Sequence, residues 1–151
     1  MSPRLKLSNN MKSVFYLEMK LTTGKSKIIY LDNNFIEYEA YEEDESIAEI
    51  EVYAWKIYGR AFLDCTSLTK VTILTEAHRI DFNAFAGCTA LREIIFPDNL
   101  KEVVITFDGR GVSKMTLSNP STKELIKILK QGYAIDLYYK GDIRDDEDHW
   151  R

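Results

Sequence analysis

The sequence of 151 residues predicts an α+β, mainly β fold, in which a short solenoid of parallel β rungs is closed at both ends by caps. Three observations predict this fold. Residues 57–73 recur at 80–96, at a constant offset of 23 residues. A shorter motif, an aliphatic residue followed three and five positions later by two more apolar residues, occurs four times, at intervals of 21, 23 and 21 residues. Periods in the twenties are typical of solenoids, in which each repeat stacks on the one before it.

The composition is that of one globular domain. Apolar residues make up 45% of the chain and charged residues 29%, which is ordinary for a domain with a single core. The formal net charge of −4 argues against nucleic acid as the partner, because phosphate binding needs a basic surface. The domain is divided into a tail at 1–12, an N-terminal β cap at 13–46, repeats at 47–118, a C-terminal cap at 119–140 and an acidic tail at 141–151.

The N-terminal cap is predicted to be a β-hairpin with an added extended segment. Residues 14–21 alternate loosely between apolar and polar, residues 27–31 are rich in β-branched side chains, and a turn at Gly24 separates them. Such a pattern is typical of two antiparallel strands. A third extended segment is expected at 35–41, followed by an acidic loop at 42–46.

The four copies of the short motif predict four parallel rungs of one sheet. Their apolar positions are expected to point into the core, because side chains alternate along a strand. The third connection breaks the pattern, and residues 103–111 favour a strand and a tight turn. The rungs comprise Ile47, Ile50 and Val52; Leu68, Val71 and Ile73; Leu91, Ile94 and Phe96; and Val112, Met115 and Leu117.

The segments that return from one rung to the next carry an Ala-Phe pair, at 61–62 and again at 84–85, in what is expected to be a short helical turn. Cys65 and Cys88 occupy equivalent positions in the two returns. We expect both to be buried free thiols, since unpaired cysteine behaves as a small hydrophobic residue. A disulfide between them is the alternative, although stacked parallel side chains are poorly aimed for one.

The complete repeat reads Ile-x3-Ala-Phe-x2-Cys-Thr-x-Leu-x2-(Val/Ile)-x-(Ile/Phe), and it is clearest at residues 57–103. This pattern resembles the BspA-like (Treponema pallidum type) leucine-rich repeat family, because the Ala-Phe pair, the cysteine, the leucine and the alternating aliphatic residues all fall at that family's spacing. The resemblance implies a parallel β solenoid that binds proteins, usually at a bacterial surface.

The C-terminal cap is predicted to contain a helix and a final strand. The helix begins either with Asn119 as N-cap and Pro120 at the first helical position, or with Ser121 as N-cap and Glu124 completing a capping box. It is expected to end at Gly132. An open solenoid end exposes core and unpaired strand edge, so these elements are interpreted as a cover for it.

The sequence predicts no catalytic, metal or cofactor site. His78 and His149 have no second His or Cys at ligand spacing. The sequence Gly-Arg-Gly at 109–111 lacks the remaining residues of a phosphate-binding loop. The acidic tail lacks a calcium-binding loop. The chain is therefore expected to be no enzyme and to need no cofactor.

The outward-pointing side chains offer the one candidate binding surface. Aligned across the four rungs, they make a row of alternating charge, a mixed row and a row that is unexpectedly apolar for an exposed face. The three rows are Glu49, Lys70, Glu93 and Lys114; Glu51, Thr72, Ile95 and Thr116; and Tyr53, Leu74, Pro97 and Ser118.

Our hypothesis is that part of these rows binds a protein, because exposed apolar patches ringed by polar residues are typical of interfaces. The alternative is that the N-terminal hairpin or the cap helix covers the patch, since a small domain needs its aromatic residues in the core. The apolar centre of the patch is Tyr53, Trp55, Leu74 and Ile95, and its polar members are Lys70, Thr72 and Glu93.

The function predicted from the sequence is a non-enzymatic protein-interaction module of bacterial origin. One alternative is a cytoplasmic immunity or antitoxin protein that neutralises a basic toxin, which small size, net acidity and the acidic clusters at 42–45 and 145–148 favour. Another is a fragment of a BspA-like cell-surface protein. We expect a monomer, or a weak dimer through a sheet edge.

The first residues predict where the protein acts. They are polar and basic and carry no secretory signal, which predicts a cytoplasmic protein as the sequence is written. A cell-surface location is expected instead if a leader precedes this sequence in a longer protein. No apolar run is long enough to cross a membrane, so no membrane is expected among the partners.

Overall fold

The computed structural model describes residues 14–142, which form a mainly β structure of two mixed sheets with one short helix. The elements are β1 Phe15–Leu21, β2 Ser26–Leu31, β3 Phe35–Ile36, β4 Ile47–Tyr53, β5 Lys56–Ile57, β6 Lys70–Ile73, β7 Arg79–Ile80, β8 Glu93–Ile95, β9 Leu100–Thr106, β10 Lys114–Ser118, α1 Thr122–Lys130 and β11 Ala134–Tyr139.

The first sheet has five strands in the order β2-β1-β4-β6-β8. Three of the four strands predicted as rungs, β4, β6 and β8, lie side by side and pair in parallel, with Ile50 opposite Val71 and Val71 opposite Ile94. The predicted hairpin of β1 and β2 is present, and β1 pairs antiparallel with β4. The inward side chains of all three rungs are buried, as the period-two pattern requires.

The second sheet has six strands in the order β10-β9-β11-β7-β5-β3. Strands β3, β5 and β7 pair in parallel, each with only two residues. Strand β11 then pairs antiparallel with both β7 and β9, and β9 pairs antiparallel with β10. At this junction the hydroxyl of Tyr139 donates to the carbonyl oxygen of Ala77 at 2.7 Å.

The prediction of a fourth parallel rung was wrong. Met115 and Leu117 belong to β10, which pairs antiparallel with β9 at the edge of the second sheet, and Val112 precedes that strand. The cause is the turn at Asp108, whose carboxylate accepts from the backbone N–H groups of Val112 and Arg110 at 3.1 Å each. The chain therefore doubles back into the strand and tight turn predicted for 103–111. The three predicted outward rows therefore do not include Lys114, Thr116 and Ser118, which belong to β10 in the second sheet. Pro97 lies beyond the end of β8.

The prediction of an extended segment at 35–41 was also wrong after residue 36. Only Phe35 and Ile36 are in a strand, and the chain then follows a course of turns that recurs in the next two returns. Non-glycine residues with positive φ mark equivalent points of the three returns. They are Glu39, Arg60 and Asn83 at the first point, and Glu43 and Asp64, matched by Gly87, at the second.

Backbone hydrogen bonds join the three returns into layers. The N–H of Tyr41 donates to the carbonyl oxygen of Ala61, and the N–H of Phe62 donates to that of Ala84, both at 2.8 Å. The rings of Tyr41, Phe62 and Phe85 stack through these layers, with 5.4 Å between successive ring centroids. The irregular returns thus have their own ladder of polar and aromatic contacts.

Cys65 and Cys88 are buried free thiols, as predicted. Each thiol donates to the carbonyl oxygen of the aromatic residue one layer earlier, Cys65 to Tyr41 and Cys88 to Phe62, both at 3.1 Å. Burial raises the pKa of Cys65 to about 11 and that of Cys88 to about 12. Both thiols are therefore protonated at neutral pH.

Helix α1 resolves the two predicted starts in favour of Ser121. The Ser121 hydroxyl accepts from the backbone N–H of Glu124 at 3.1 Å, and the Glu124 carboxylate accepts from the backbone N–H of Ser121 at 3.0 Å. The helix ends before Gly132, whose φ of +93° suits glycine. Its buried residues, Leu125 and Leu129, face the core at the β8 end of the first sheet.

Candidate protein-binding face

The face of the five-stranded sheet that points away from the core carries the sequence-predicted site, and we call it the outer face. Its side chains form two complete rows because the strand register places equivalent residues directly opposite one another. The first row is Ser26, Lys20, Glu49, Lys70 and Glu93, and the second is Ile28, Glu18, Glu51, Thr72 and Ile95.

The first row alternates in charge across four strands. Lys20 lies opposite Glu49, Glu49 opposite Lys70, and Lys70 opposite Glu93. Opposite charges in directly paired positions contribute a few tenths of a kcal/mol each. The alternation predicted for Glu49, Lys70 and Glu93 is therefore confirmed, and β1 continues it on the side where the prediction had no strand.

The second row is apolar at both ends and acidic in the middle. Ile28 and Ile95 lie on β2 and β8, the two edge strands of the sheet, and each is 40% exposed. Glu18 lies directly opposite Glu51, a pairing of like charges that disfavours the folded state. Lys20 and Lys70, one row away on the neighbouring diagonals, offset part of this repulsion. A shallow depression lies at the centre, lined by charged residues of both rows.

Aromatic side chains form a third row along one margin of the outer face. Tyr30, Tyr16 and Tyr53 are successive cross-strand neighbours. The ring of Tyr53 stacks on Tyr16 with 5.5 Å between centroids, and Tyr16 is buried although it points away from the core. Tyr30 remains 53% exposed. The row therefore gives a rigid aromatic margin with one open end.

Trp55 extends this margin beyond the end of β4. Its ring makes an edge contact with Phe15 at 5.5 Å and stacks on the ring of His78 at 5.6 Å. Its side chain is still 43% exposed. The backbone N–H of Trp55 donates to the carbonyl oxygen of Asn34 at 2.7 Å, which fixes the point from which the ring projects.

The seven residues predicted for the site do not all have the same environment. Lys70, Thr72, Glu93 and Ile95 lie together on the outer face, as the register requires. Leu74 follows β6 and is half-buried, with its backbone N–H bonded to the carbonyl oxygen of Val52 at 2.8 Å. Tyr53 is half-buried between aromatic rings, whereas Trp55 is largely open. Strand β1 lies beside β4 in the sheet and packs against the edge of this patch.

The prediction from sequence missed the part of the outer face that β1 and β2 supply. It placed the hairpin at the end of the stack without a register, so it did not consider Glu18, Lys20, Ile28 and Tyr30. The available signal was the alternation along β1, in which Leu17 and Met19 face the core and each is followed by a charged residue, Glu18 and Lys20. Pairing that strand with β4 would have placed Lys20 opposite Glu49.

Charges outside the outer face are paired locally. Arg60 contacts the carboxylates of Glu39, at 3.0 Å, and Glu42, which connects the first two returns. Arg79 contacts Asp136 at 2.8 Å and Asp81 at 3.1 Å, which connects β7 to β11. Of these pairs, the one between Arg60 and Glu42 neutralises part of the acidic loop at 42–46.

No metal site was predicted, and among residues 14–142 no group of three or more His, Cys, Asp or Glu side chains is placed to hold a metal ion. His78 lies against Trp55, as described above. His149 lies outside the described residues, as does the predicted acidic tail at 141–151 from residue 143 onward. Within the described part of the chain, no helix has both the length and the apolar character needed to cross a membrane.

Comparison with known families supports the repeat pattern. Residues 55–125, just under half of the chain, match the family model described as BspA type leucine rich repeat region (6 copies). This stretch is therefore similar to BspA type leucine-rich repeat regions. The resemblance drawn from residues 57–103 is therefore confirmed. Searches of the curated proteins and of the solved structures gave no significant match.

Proposed function

We propose that the chain is a non-enzymatic leucine-rich-repeat module of bacterial origin that binds a protein partner through the outer face. Leucine-rich-repeat regions of this type are generally non-enzymatic interaction modules, which supports the class of function. The observation that carries the choice of face is the exposure of Ile28, Tyr30, Trp55 and Ile95 around a charged centre. Large apolar side chains exposed on one rigid sheet face are typical of interaction surfaces.

We also propose that the repeats form a short solenoid with parallel rungs. Along the chain, strands alternate between the two sheets, so that β3, β5 and β7 enter one sheet and β4, β6 and β8 enter the other. Each successive pair makes one coil, and the coils stack in parallel in both sheets. The antiparallel strands β1 and β11 pair with the outermost strands of these stacks. A rigid stack of this kind holds the outer face in one shape, which lowers the entropic cost of binding.

The chemistry of the outer face indicates the chemistry of the partner. Its first two rows contain four carboxylates, Glu18, Glu49, Glu51 and Glu93, and two ammonium groups, Lys20 and Lys70. The difference of two negative charges favours a partner surface with basic residues opposite the centre and apolar residues opposite Ile28 and Ile95. Complementary charge speeds association and weakens with salt.

The immunity-protein alternative makes a different prediction about the surface. It depends on the acidic turns of the first return, where Glu43 and Glu45 are exposed and Glu42 is held by Arg60. A basic toxin bound there would not need the outer face. Substitutions at the two surfaces therefore discriminate between the two functions.

The experiment is partner capture from the native cell lysate with four forms of the chain as bait. The outer-face variant is Ile28→Lys with Ile95→Lys, because both residues are exposed and their replacement preserves the packing of Tyr53. The matched control is Val112→Lys, which places the same residue at a site that is 74% exposed on another surface. The fourth form, Glu43→Lys with Glu45→Lys, reverses charge in the acidic turns. Thermal unfolding of each form checks that it is folded.

We expect the wild type and Val112→Lys to capture the same protein and the outer-face variant to lose it. Loss only in the acidic-turn variant would replace the proposal with the toxin-neutralising alternative. Equal capture by all four forms would show that the outer face does not bind the partner. Raising the salt concentration should reduce capture by the wild type, because part of the attraction is between charges.

A further inference from the structure

Strand β10 is the edge of the second sheet on the side away from the repeats. Within residues 14–142 its only strand neighbour is β9. Its sequence, Lys-Met-Thr-Leu-Ser, contains no proline and one charge. Edge strands usually carry several devices that prevent pairing with another chain, and a strand without them is a template for such pairing.

The hydrogen-bond alternation shows which backbone groups of β10 are directed outward. The N–H of Phe107 donates to the carbonyl oxygen of Ser113, and the N–H of Asn119 donates to that of Lys101, both at 2.9 Å. In an antiparallel pair, residues alternate between positions that bond to the neighbour and positions that do not. Positions 113, 115, 117 and 119 therefore bond to β9. The N–H and C=O groups of Lys114, Thr116 and Ser118 point away from it.

These outward groups are self-complementary about Thr116. In an antiparallel pairing of β10 with β10 of a second copy, centred on this residue, Thr116 lies opposite itself and Lys114 lies opposite Ser118. Each of these three pairings exchanges two hydrogen bonds. Met115 then lies opposite Leu117, so apolar residues meet on one side of the new sheet and polar residues on the other. No like charges are placed directly opposite one another.

A second copy paired with β10 would also cover an apolar groove beside this strand. The groove runs between β10 and α1 and is lined by Phe107, Leu117, Ile128 and Tyr133. Met115 lies at its mouth and is 50% exposed. Two-fold pairing through β10 places the two grooves end to end, with each Met115 beside the partner's Leu117. The other edge strands of the two sheets are β2, β3 and β8, of which β3 and β8 have only two and three residues. A depression also lies beside β2, lined by Ile29 and Leu31 together with the polar residues Asp32, Asn33 and Glu37, but the exposed residues of β2, Ile28 and Tyr30, belong to the outer face.

We propose that the chain forms a two-fold symmetric dimer by antiparallel pairing of β10, separate from the face that binds the protein partner. A five-residue strand pair with one small groove buries less than the roughly 1,200 Å² of a standard stable interface. The dimer is therefore weak and depends on concentration, with a dissociation constant in the micromolar range or above. The partner that this edge fits is a second copy of the same chain.

The test is sedimentation equilibrium over a wide range of protein concentration. Thr116→Pro removes an outward-pointing N–H and leaves the bonds between β10 and β9 in place, which is the setting in which an edge strand accepts proline. We expect it to weaken dimerisation at least about tenfold, because two hydrogen bonds across the two-fold axis are lost. Ile28→Pro is the matched control, since the N–H of Ile28 also points outward, from the edge strand β2 of the first sheet.

A charge-pair experiment tests the register. Thr116→Lys and Thr116→Glu each place like charges directly opposite one another on the two-fold axis, so each variant alone should dimerise several-fold more weakly than the wild type. An equimolar mixture should recover the lost association. Wild-type chain that stays monomeric into the millimolar range would overturn the proposal. Dimerisation that Thr116→Pro does not weaken, whatever the effect of Ile28→Pro, or that the mixture fails to recover, would overturn it as well.

Discussion

At the scale of one residue, the structure explains why cysteine occupies the equivalent positions 65 and 88 of the repeat. Each thiol is small enough to be buried in the return and donates to the carbonyl oxygen of the aromatic residue in the preceding layer. Each of these carbonyl oxygens also accepts from a backbone N–H, that of Asp44 for Tyr41 and that of Cys65 for Phe62, so the thiol supplies a second donor to an oxygen that has two lone pairs. Within residues 14–142 no layer precedes the first return. Asp44, which bonds instead to Ser46, stands at the position equivalent to the cysteine.

The first prediction concerns the pH dependence of stability. Thiols in the unfolded chain ionise near pH 8.5, whereas burial holds the pKa of Cys65 at about 11 and that of Cys88 at about 12 in the fold. Their contribution is therefore fully present below about pH 8.5 and is lost as pH rises toward the folded pKa values. The limiting slope is about 1.4 kcal/mol per pH unit for each thiol.

Urea unfolding at pH 8, 9 and 10 under reducing conditions measures this effect. The double variant Cys65→Ala with Cys88→Ala is the reference, because it keeps every other ionisable side chain of the protein. We expect the free energy of unfolding to fall more steeply with pH in the wild type than in the double variant. Parallel pH profiles would contradict the prediction that the two buried thiols cause part of the loss of stability at high pH.

The second prediction concerns the glycine of the third return. Gly87 has φ of +73°, and a Cβ built on it lies 1.8 Å from Oδ1 of Asp64 in the layer below. Gly87→Ala should therefore lower the free energy of unfolding by about 1 kcal/mol for the left-handed backbone, with an added cost for displacing the carboxylate. In a double-mutant cycle with Asp64→Ala, the cost of displacing the carboxylate should disappear. Additive effects would mean that the carboxylate moves aside freely.

At the scale of the element, the return segment is stabilised by stacked layers of turns. Its strands are two residues long, so most of its hydrogen bonds run between turns of adjacent layers. The aromatic ladder of Tyr41, Phe62 and Phe85 lies inside these turns. Phe62 has a ring on each side, whereas Tyr41 is the last ring described on its side.

The third prediction compares two positions of this ladder. Phe62→Ala should lower the free energy of unfolding by about 3–5 kcal/mol, because the side chain is fully buried and its loss leaves a cavity between two rings. Tyr41→Ala should cost at least about 1 kcal/mol less, since Tyr41 is only half-buried at the end of the ladder. Chemical denaturation of both variants measures the difference. Equal losses would mean that the ladder does not end at Tyr41.

The sequence predicted those elements whose periodicity is strict. The repeats of β4, β6 and β8 keep an apolar residue at every inward position of the short motif, and the Ser121 capping box has a local signature, so both could be identified. The first return was missed because Asp44 replaces the cysteine and Tyr41 the phenylalanine. An offset of 21 residues, already evident between Ile47 and Leu68, would have aligned it. The antiparallel course of β10 depends on the carboxylate of Asp108, which a search for apolar repeats does not include.

The candidate binding face was predictable only in part, for a related physical reason. Side-chain alternation determined which residues of β4, β6 and β8 point outward. The register of β1 against β4 depends on contacts between distant parts of the chain, and no local motif specifies it. The exposure of Trp55 likewise depends on where Phe15 and His78 lie in the fold.

At the scale of the whole molecule, one continuous core connects both caps to the repeats. Inward side chains from β1, all three rungs, α1 and β11 belong to a single buried cluster. Strand β1 pairs with the first rung, and α1 covers the core at the last rung, β8. Because no layer has a separate core, the described part of the chain should unfold as one unit.

The fourth prediction tests this coupling from one end of the molecule to the other. Leu129 is 1% exposed on α1, and Leu129→Ala should cost about 2–5 kcal/mol through lost contacts and a cavity. Trp55 reports on the opposite side of the stack, next to β1. The fluorescence of Trp55, measured in a Trp150→Phe background, and the helical circular dichroism should therefore shift to lower urea by the same amount. A fluorescence midpoint that stays in place while the helical signal shifts would show that the cap melts separately from the repeats. Coincident shifts would show that the cap stabilises every layer, including those that carry the outer face.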